Sequence, residues 1–306
     1  MVEGMLLPPQ GHGWNAAVVC GWPGFERLRG AIRIGIVPQI GGRIMSLQFR
    51  GEELLYAPDP ASALVPDLVL VEDLAALKRM TGFRLFGGDK TWVAPEWSWV
   101  ERCPPLDLDA GVYRCTVEAD ACVMTSPVCR ETGLQVIRRV GFVADLNSTD
   151  IHLVETLKNM TDKPLERGVW NVTQVARPFD VHLPVVSGGL RSYHLEDTTL
   201  PDPLLTPEEK DGWATIPCAG DVCFKFGAIV REGQIVVVKA TPQGRVVFTR
   251  FFDIAPGGAY AHQSMAEVFN SPRYPYGEVE VHAPLSVIPP GGQVSLTQRW
   301  RIGVAG

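Results

Sequence analysis

Short runs in which apolar and polar residues alternate dominate the chain, and Gly, Pro, Asp or Asn residues separate them about every ten positions. Alternation with a period of two is typical of β-strands that bury one face. The pattern predicts strands at 31–37, 43–49, 113–126, 134–143, 150–160, 168–175, 234–241, 245–252, 278–285 and 293–304. We therefore expect an all-β fold, a large antiparallel sandwich with one or two short helices.

Two segments depart from the strand pattern. DLVLVEDLAALKRM, residues 67–80, carries an apolar stripe with helical spacing and predicts a helix that ends before Thr81 and Gly82. EDTTLPDPLLTPEEKDGW, residues 196–213, is rich in Pro and acidic residues and predicts a long surface loop. No linker divides the 306 residues, so we expect a single domain over 1–306.

Charge and hydropathy exclude several classes of partner. The formal net charge is −6 and basic residues occur singly, which is unlike a nucleic-acid-binding surface. No uninterrupted apolar run reaches the length of a spanning helix, so we expect no membrane partner. The N-terminal segment has no basic start and contains Pro8 and Pro9, which predicts a cytoplasmic protein. A neutral or weakly charged small molecule fits better, and the oligomeric state stays open.

The segment FGGDKTWVAPEWSW, residues 86–99, places Asp89 and Lys90 directly ahead of three tryptophans. Proteins bind sugars by stacking aromatic rings on C–H surfaces and by taking hydroxyl groups with polar side chains. We therefore interpret Asp89 and Trp92 as substrate-binding residues. The alternative is that the tryptophans fill the core and Asp89 pairs with Lys90 at a turn.

The strand GVWNVTQV, residues 168–175, places Trp170 and Gln174 on one face. An aromatic ring beside an amide is a plausible sugar-facing pair, so both are candidate substrate-binding residues. The alternative is an ordinary strand with one polar face.

The strand EVEVHAPL, residues 278–285, places Glu278, Glu280 and His282 on one face. A carboxylate crowded by another carboxylate has a raised pKa, which suits a general base or acid near neutral pH. We interpret the two glutamates as catalytic and His282 as substrate-binding. A solvated outer face is the alternative.

The six histidines have no metal-ligand spacing. His152 and Glu155 point to opposite faces of a strand, so they do not share an ion. We expect no metal and no other cofactor, with a single ion on the face of Glu278, Glu280 and His282 left open.

Four pieces occur in an order that resembles a known family: GGRIMSLQFRGEELLY near the start, GGDKTWVAPEW, HLVETLKNMTDKPLERGVWNVTQV, and EVEVHAPLSVIPPGGQVSLTQRW at the end. Together they resemble the galactose mutarotase-like (aldose 1-epimerase-like) β-supersandwich proteins, in particular a branch with a GGDK-x-W-x-A-P motif. The resemblance covers most of the chain and implies a concave face that binds a carbohydrate.

The resemblance also implies a mechanism in which a carboxylate base works opposite a histidine acid. Glu280 matches the base, with Glu278 as its neighbour. Where the family carries a histidine before the Gly-Gly turn, this chain has Phe86, and the second family histidine is also missing. The resemblance then leaves Lys90, or His152 if its side chain turns inward, as the candidate catalytic acid.

Three functions remain open at this point. The first is an isomerase of the aldose 1-epimerase type that uses Glu280, Glu278 and Lys90. The second is a non-catalytic sugar-binding or sensing protein. The third is an enzyme acting on a non-sugar cyclic metabolite, because a fold does not dictate a function.

Overall fold

The computed structural model describes residues 13–62, 68, 71–118, 120–193, 207–220, 222–242 and 244–304. Antiparallel strands dominate these ranges, which confirms the all-β prediction. The strands are β1 (Asn15–Val19), β2 (Trp22–Arg29), β3 (Ile32–Val37), β4 (Arg43–Phe49), β5 (Glu52–Glu53), β6 (Asp89–Ala94), β7 (Arg114–Glu118), β8 (Ala121–Thr125), β9 (Leu134–Phe142), β10 (Ile151–Asn159), β11 (Leu165–Ala176), β12 (Phe179–Ser192), β13 (Glu208–Lys210), β14 (Trp213–Cys218), β15 (Phe224–Val230), β16 (Gln234–Thr241), β17 (Gly244–Phe252), β18 (Ala266–Asn270), β19 (Tyr276–His282), β20 (Ser286–Ile288) and β21 (Gln293–Val304).

Helical structure in these ranges is confined to short pieces. The α-helices are α1 (Leu74–Thr81) and α2 (Leu106–Asp109), and 3-10 turns cover Glu96–Ser98, Val100–Arg102 and Ala261–Gln263. No helix in the described ranges has the length and apolar character needed to cross a membrane.

α1 is shorter than the helix predicted over 67–80. It begins after Asp73, whose side chain accepts a hydrogen bond from the backbone N–H of Ala76 at 2.8 Å, and it ends at Gly82. An Asp in this position satisfies one of the free N–H groups of the first turn, which explains the later start. Residues 67, 69 and 70 lie outside the described residues. So do 196–206 of the predicted surface loop, whose remainder contains β13.

The strands form two antiparallel layers that share one long strand. The front layer runs in the order β1, β2, β3, β4, β6, β11, β19, β18, β15. The back layer runs in the order β7, β8, β9, β10, β21, β17, β16. β12 pairs with β15 over one half and with β14 and β16 over the other, so it joins the two layers. The architecture is the large antiparallel sandwich expected from the alternation.

A polar network lies inside the sandwich, between β6 and β11 in front and β9 and β10 behind. Arg138 forms a fully buried ion pair with Asp89 and lies 3.6 Å from Glu155. Asn171 donates hydrogen bonds to Asp89 at 2.9 Å and to Glu155 at 2.8 Å. Each buried carboxylate therefore has a cation and a donor within reach, as buried charges require.

Arg250 of β17 extends the same network. Its guanidinium donates to Thr173 at 2.7 Å, to the carbonyl of Val279 at 2.9 Å and to Gln298 at 2.7 Å. Thr173 in turn donates to Asp89 at 2.6 Å. The central strands of the front layer are thus tied to the back layer by charged groups that water does not reach.

Replacing Arg138 tests whether this network holds the sandwich together. Arg138→Met leaves Asp89 and Glu155 buried without their cation, so we expect the free energy of unfolding to fall by about 3–5 kcal/mol. The matched control is Arg139→Met. Arg139 lies next to Arg138 on β9 and forms an exposed ion pair with Glu118, so its loss should lower the free energy of unfolding by at most about 1 kcal/mol. Denaturant titration measures both, and equal losses would contradict a structural role for the network.

Candidate functional site

Residues that alternate with the internal network lie on the other side of the front layer, where most of them are also buried. The strand register aligns them in three rows. The rows are Trp92, Trp170 and His282; Lys90, Val172, Glu280 and Glu267; and Gln174, Glu278, Phe269 and Lys225. Side chains aligned across neighbouring strands lie about 5 Å apart and interact directly. We call this surface the tryptophan face.

Glu280 lies near the centre of the tryptophan face and is 1% exposed. Its carboxylate accepts a hydrogen bond from the indole of Trp170 at 2.8 Å and from Lys225 at 3.1 and 3.2 Å. Burial raises the pKa of Glu280 to about 8, with Glu267 and Glu278 adding to the effect and Lys225 opposing it. Glu280 therefore has the proton affinity that a general acid or base near neutral pH requires.

Lys90 and Gln174 converge on Glu278 next to this carboxylate. The Lys90 ammonium lies 3.3 Å from Glu278, which also accepts a hydrogen bond from Gln174 at 2.8 Å. The ammonium is 4.3 Å from the ring centre of Trp92. Burial lowers the pKa of Lys90 despite the opposing charge of Glu278. A proton on this amine is thus given up more easily than on an exposed lysine.

Three tryptophans pack into one aromatic cluster on this face. The ring of Trp170 stacks on Trp99 at 5.6 Å and meets Trp92 edge-on at 5.1 Å. The indole N–H of Trp92 donates to Asp109 at 2.8 Å, and that of Trp99 donates to the carbonyl of Val93 at 2.8 Å. Because these hydrogen bonds satisfy the N–H groups at the ring edges, the apolar ring faces pack against one another.

The segment 95–103 covers one side of the tryptophan face. It carries Trp99 into the cluster and leaves the side chain of Trp97 66% exposed. Lys78 of α1 is buried and donates to the carbonyls of Val100 and Cys103 at 3.2 and 2.9 Å, while its charge pairs with Glu131 at 2.6 Å. α1 therefore acts as a support for the covering segment.

His262 reaches the face from the 3-10 turn Ala261–Gln263. Its Nδ1 lies 2.8 Å from Glu267, and its Nε2 forms a close contact with Glu96 of the covering segment. Burial alone would lower the pKa of His262, but hydrogen bonds to the two carboxylates outweigh burial and raise it to about 9. His262 has a φ of 55°, the left-handed conformation that side chains other than Gly rarely adopt.

Glu267 and Lys225 complete the group. The Lys225 ammonium lies 2.8 Å from Glu267, and Glu267 lies 3.4 Å from Nε2 of His282. Burial favours protonated Glu267, but Lys225, His282 and His262 together hold its pKa well below the ordinary value. Burial lowers the pKa of His282, and Glu267 only partly offsets this. Glu267 is therefore an anion between neighbours of opposite or no charge.

The structure brings together seven of the nine residues expected from the sequence. Those on the tryptophan face are Lys90, Trp92, Trp170, Gln174, Glu278, Glu280 and His282. Asp89 and His152 lie elsewhere.

Asp89 points into the sandwich and not toward the tryptophan face. It binds Arg138, Asn171 and Thr173 and is fully buried, so its position corresponds to a structural role and not to substrate binding. The alternative pairing of Asp89 with Lys90 is also wrong, because the two side chains leave opposite faces of β6.

His152 is exposed on β10 of the back layer and does not turn inward. It lines a surface cavity of about 420 Å³ together with Arg139 and Phe142. This position separates His152 from Glu280 by the whole thickness of the sandwich.

Sequence reasoning missed four residues of the site: Glu96, Lys225, His262 and Glu267. Glu267 lies in β18, whose AEVFN pattern is a short alternating run that could have been recognised. His262 lies in an irregular segment, and no periodic pattern there predicts which way its side chain points.

No family model matches the sequence, and no curated protein matches it. Solved structures do match the fold over nearly the whole chain. A galactose mutarotase-like protein from Lactobacillus casei is 9% identical with a TM-score of 0.59, and the match covers 92% of this chain and 100% of that protein. A galactose mutarotase related enzyme from Lactobacillus acidophilus is 9% identical with a TM-score of 0.58, covering 92% and 97%.

A galactose mutarotase-like protein from Clostridium acetobutylicum is 10% identical with a TM-score of 0.55, covering 95% and 98%. The chain therefore has the galactose mutarotase-like fold, as the ordered motifs led us to expect. At these identities the likeness concerns the fold alone.

Replacing Lys78 tests how the covering segment is held. Lys78→Met removes two hydrogen bonds to the segment and one buried charge, so we expect amide hydrogen exchange over 96–103 to accelerate by about tenfold or more. Mass spectrometry of exchanged peptides measures this rate. Arg79→Met, which removes an exposed partner of Glu101, is the control and should change the rate less. Equal rates in both variants would show that tryptophan packing alone holds the segment.

Proposed function

We propose that this protein binds a sugar on the tryptophan face and interconverts its anomers in a reaction of the aldose 1-epimerase type. The observation that carries the proposal is the position of Glu280, a buried carboxylate beside Trp170 and in one row with Lys90 across Val172. Aromatic planes, an amide and paired charges are the groups that recognise sugar rings and hydroxyls. The mutarotase-like fold supports the same class of ligand.

Glu280 is the base in this proposal. It takes the proton of the anomeric hydroxyl while the bond between the anomeric carbon and the ring oxygen breaks, and Lys90 gives a proton to that ring oxygen. Rotation of the open-chain aldehyde and reversal of both proton transfers give the other anomer. Glu278 and Gln174 position Lys90 and take sugar hydroxyls.

Non-catalytic sugar binding is the second candidate function. It is favoured by the contacts of Glu280, because Lys225 and Trp170 already engage both of its carboxylate oxygens. These contacts take three of the roughly four acceptor positions of a carboxylate, which leaves one position on Oε1 for the anomeric hydroxyl of a substrate. The two functions differ in whether anomers exchange faster.

Exchange spectroscopy by NMR on a panel of neutral aldoses and sugar phosphates tests the catalytic proposal. We expect wild-type protein to accelerate anomer exchange of one sugar, and Glu280→Gln to reduce that rate by about 100- to 10,000-fold while the sugar still binds. The control is Glu118→Gln, an exposed carboxylate of β7 that should have no effect. Line broadening of a sugar without faster exchange would contradict catalysis and favour the binding function.

The exposed ring of Trp97 should contribute to ligand affinity from the rim of the site. Trp97→Ala removes an aromatic surface 6.3 Å from His262, and we expect the dissociation constant of the bound sugar to rise by about 2- to 10-fold. The control is Trp213→Ala, a half-buried tryptophan of β14 in the back layer. Titration calorimetry measures both, and equal effects would exclude a specific role for Trp97.

A further inference from the structure

His262, Glu267 and His282 form a compact set of metal-ligating side chains on the tryptophan face. One ligand atom of each lies within 4.8 Å of the others. Glu267 and His282 come from neighbouring strands, and His262 approaches from the 3-10 turn before β18. Two imidazoles and one carboxylate at such distances are the protein ligands of many zinc and iron centres.

The imidazole of His282 has no hydrogen-bond partner in the part of the chain that the structure describes, although it is fully buried. Within the described residues neither Nδ1 nor Nε2 has a partner with hydrogen-bond geometry, and Oε2 of Glu267, which lies 3.4 Å from Nε2, is held by the Lys225 ammonium at 2.8 Å. Buried polar groups are almost always satisfied, so an unpartnered imidazole aimed at a carboxylate calls for a further ligand. A cation between Nε2 of His282 and Glu267 would give the imidazole the partner that it lacks.

The charges around the set leave room for a divalent cation. Glu96, Glu267 and Glu280 supply three carboxylates, and Lys225 supplies one ammonium within 3.1 Å of both Glu267 and Glu280. Three carboxyl groups therefore surround the set against one ammonium, so carboxyl oxygens outnumber cations here. Lys90 and Glu278 pair with each other and do not change this balance.

Glu96 resembles the outer partner that metal-binding histidines usually have. It contacts Nε2 of His262, which fixes the ring and leaves Nδ1 directed at Glu267. A carboxylate on the far nitrogen of a ligating histidine orients the ring and strengthens the ligand.

We infer that Nδ1 of His262, the carboxylate of Glu267 and Nε2 of His282 bind one divalent transition-metal ion. Nitrogen donors exclude Mg²⁺ and Ca²⁺ as preferred ions and favour Zn²⁺, Co²⁺, Fe²⁺ or Mn²⁺. The site lies beside Glu280 on the tryptophan face, where Lys225 contacts both Glu267 and Glu280.

Metal titration of the purified full-length chain, stripped with a chelator and free of sugar, tests the inference. We expect one Zn²⁺ or Co²⁺ ion per chain by elemental analysis, and visible Co²⁺ absorption of the intensity typical of low coordination number. His282→Ala and Glu267→Gln should each weaken binding by more than about 100-fold, whereas Glu96→Gln should weaken it by about 10- to 100-fold, the usual loss for an outer partner.

His182→Ala is the matched control, because this half-buried histidine of β12 lies 3.0 Å from the hydroxyl of Thr215, away from the proposed ligands, and its loss should leave binding unchanged. His262→Ala serves where His282→Ala fails to fold, since His262 is partly exposed. Absence of stoichiometric Zn²⁺ and Co²⁺ binding by wild-type protein, or equal losses in His182→Ala and His262→Ala, would overturn the inference. Because no sugar is present, either result is separate from the outcome for epimerase activity.

Discussion

The ion pair between Asp89 and Arg138 is the contact on which the arrangement of the site depends. All six residues of β6 are buried, so burial alone does not decide which face of the strand looks outward. A one-residue slip of a strand exchanges its two faces. Pairing Asp89 with Arg138 of the back layer forces Lys90 and Trp92 outward, and Asn171 and Thr173 apply the same constraint to β11.

The front layer therefore carries two polar systems, one on each face of the same strands. The inner one ties the layers together, and its charges are matched by neighbours that water does not reach. The outer polar system is the group Glu280, Glu267 and Lys225 on the tryptophan face. It reaches solvent at the side chains of Glu96 and Trp97. The inner system keeps the outer side chains in register, and Lys78 of α1 and the packing of Trp99 hold the covering segment against them.

Period-two alternation predicted much of this arrangement. It placed Trp170 and Gln174 on one face of β11, and Glu278, Glu280 and His282 on one face of β19, because those strands alternate clearly. Asp89 was assigned from its place next to the tryptophans in the sequence, and alternation along β6 puts it on the face opposite Lys90 and Trp92.

Other parts of the site depended on contacts distant in sequence. Lys225 of β15 and Glu267 of β18 reach Glu280 only through the pairing order of the front layer, which no local pattern contains. His262 depends on a left-handed backbone conformation in a short turn. The family histidines missing from the sequence led us to Lys90 and His152 as substitutes, although a histidine from another segment lies near the expected carboxylate.

The central claim is that ligands bind on the tryptophan face and not elsewhere on the sandwich. Indole ¹⁵N–¹H spectra, recorded while a binding sugar is added, test it directly because each tryptophan reports its own surroundings. The account predicts that the signals of Trp92, Trp97 and Trp170 shift with a common saturation curve, while those of Trp14 and Trp300 stay in place. Shifts confined to Trp14 or Trp300 would contradict it.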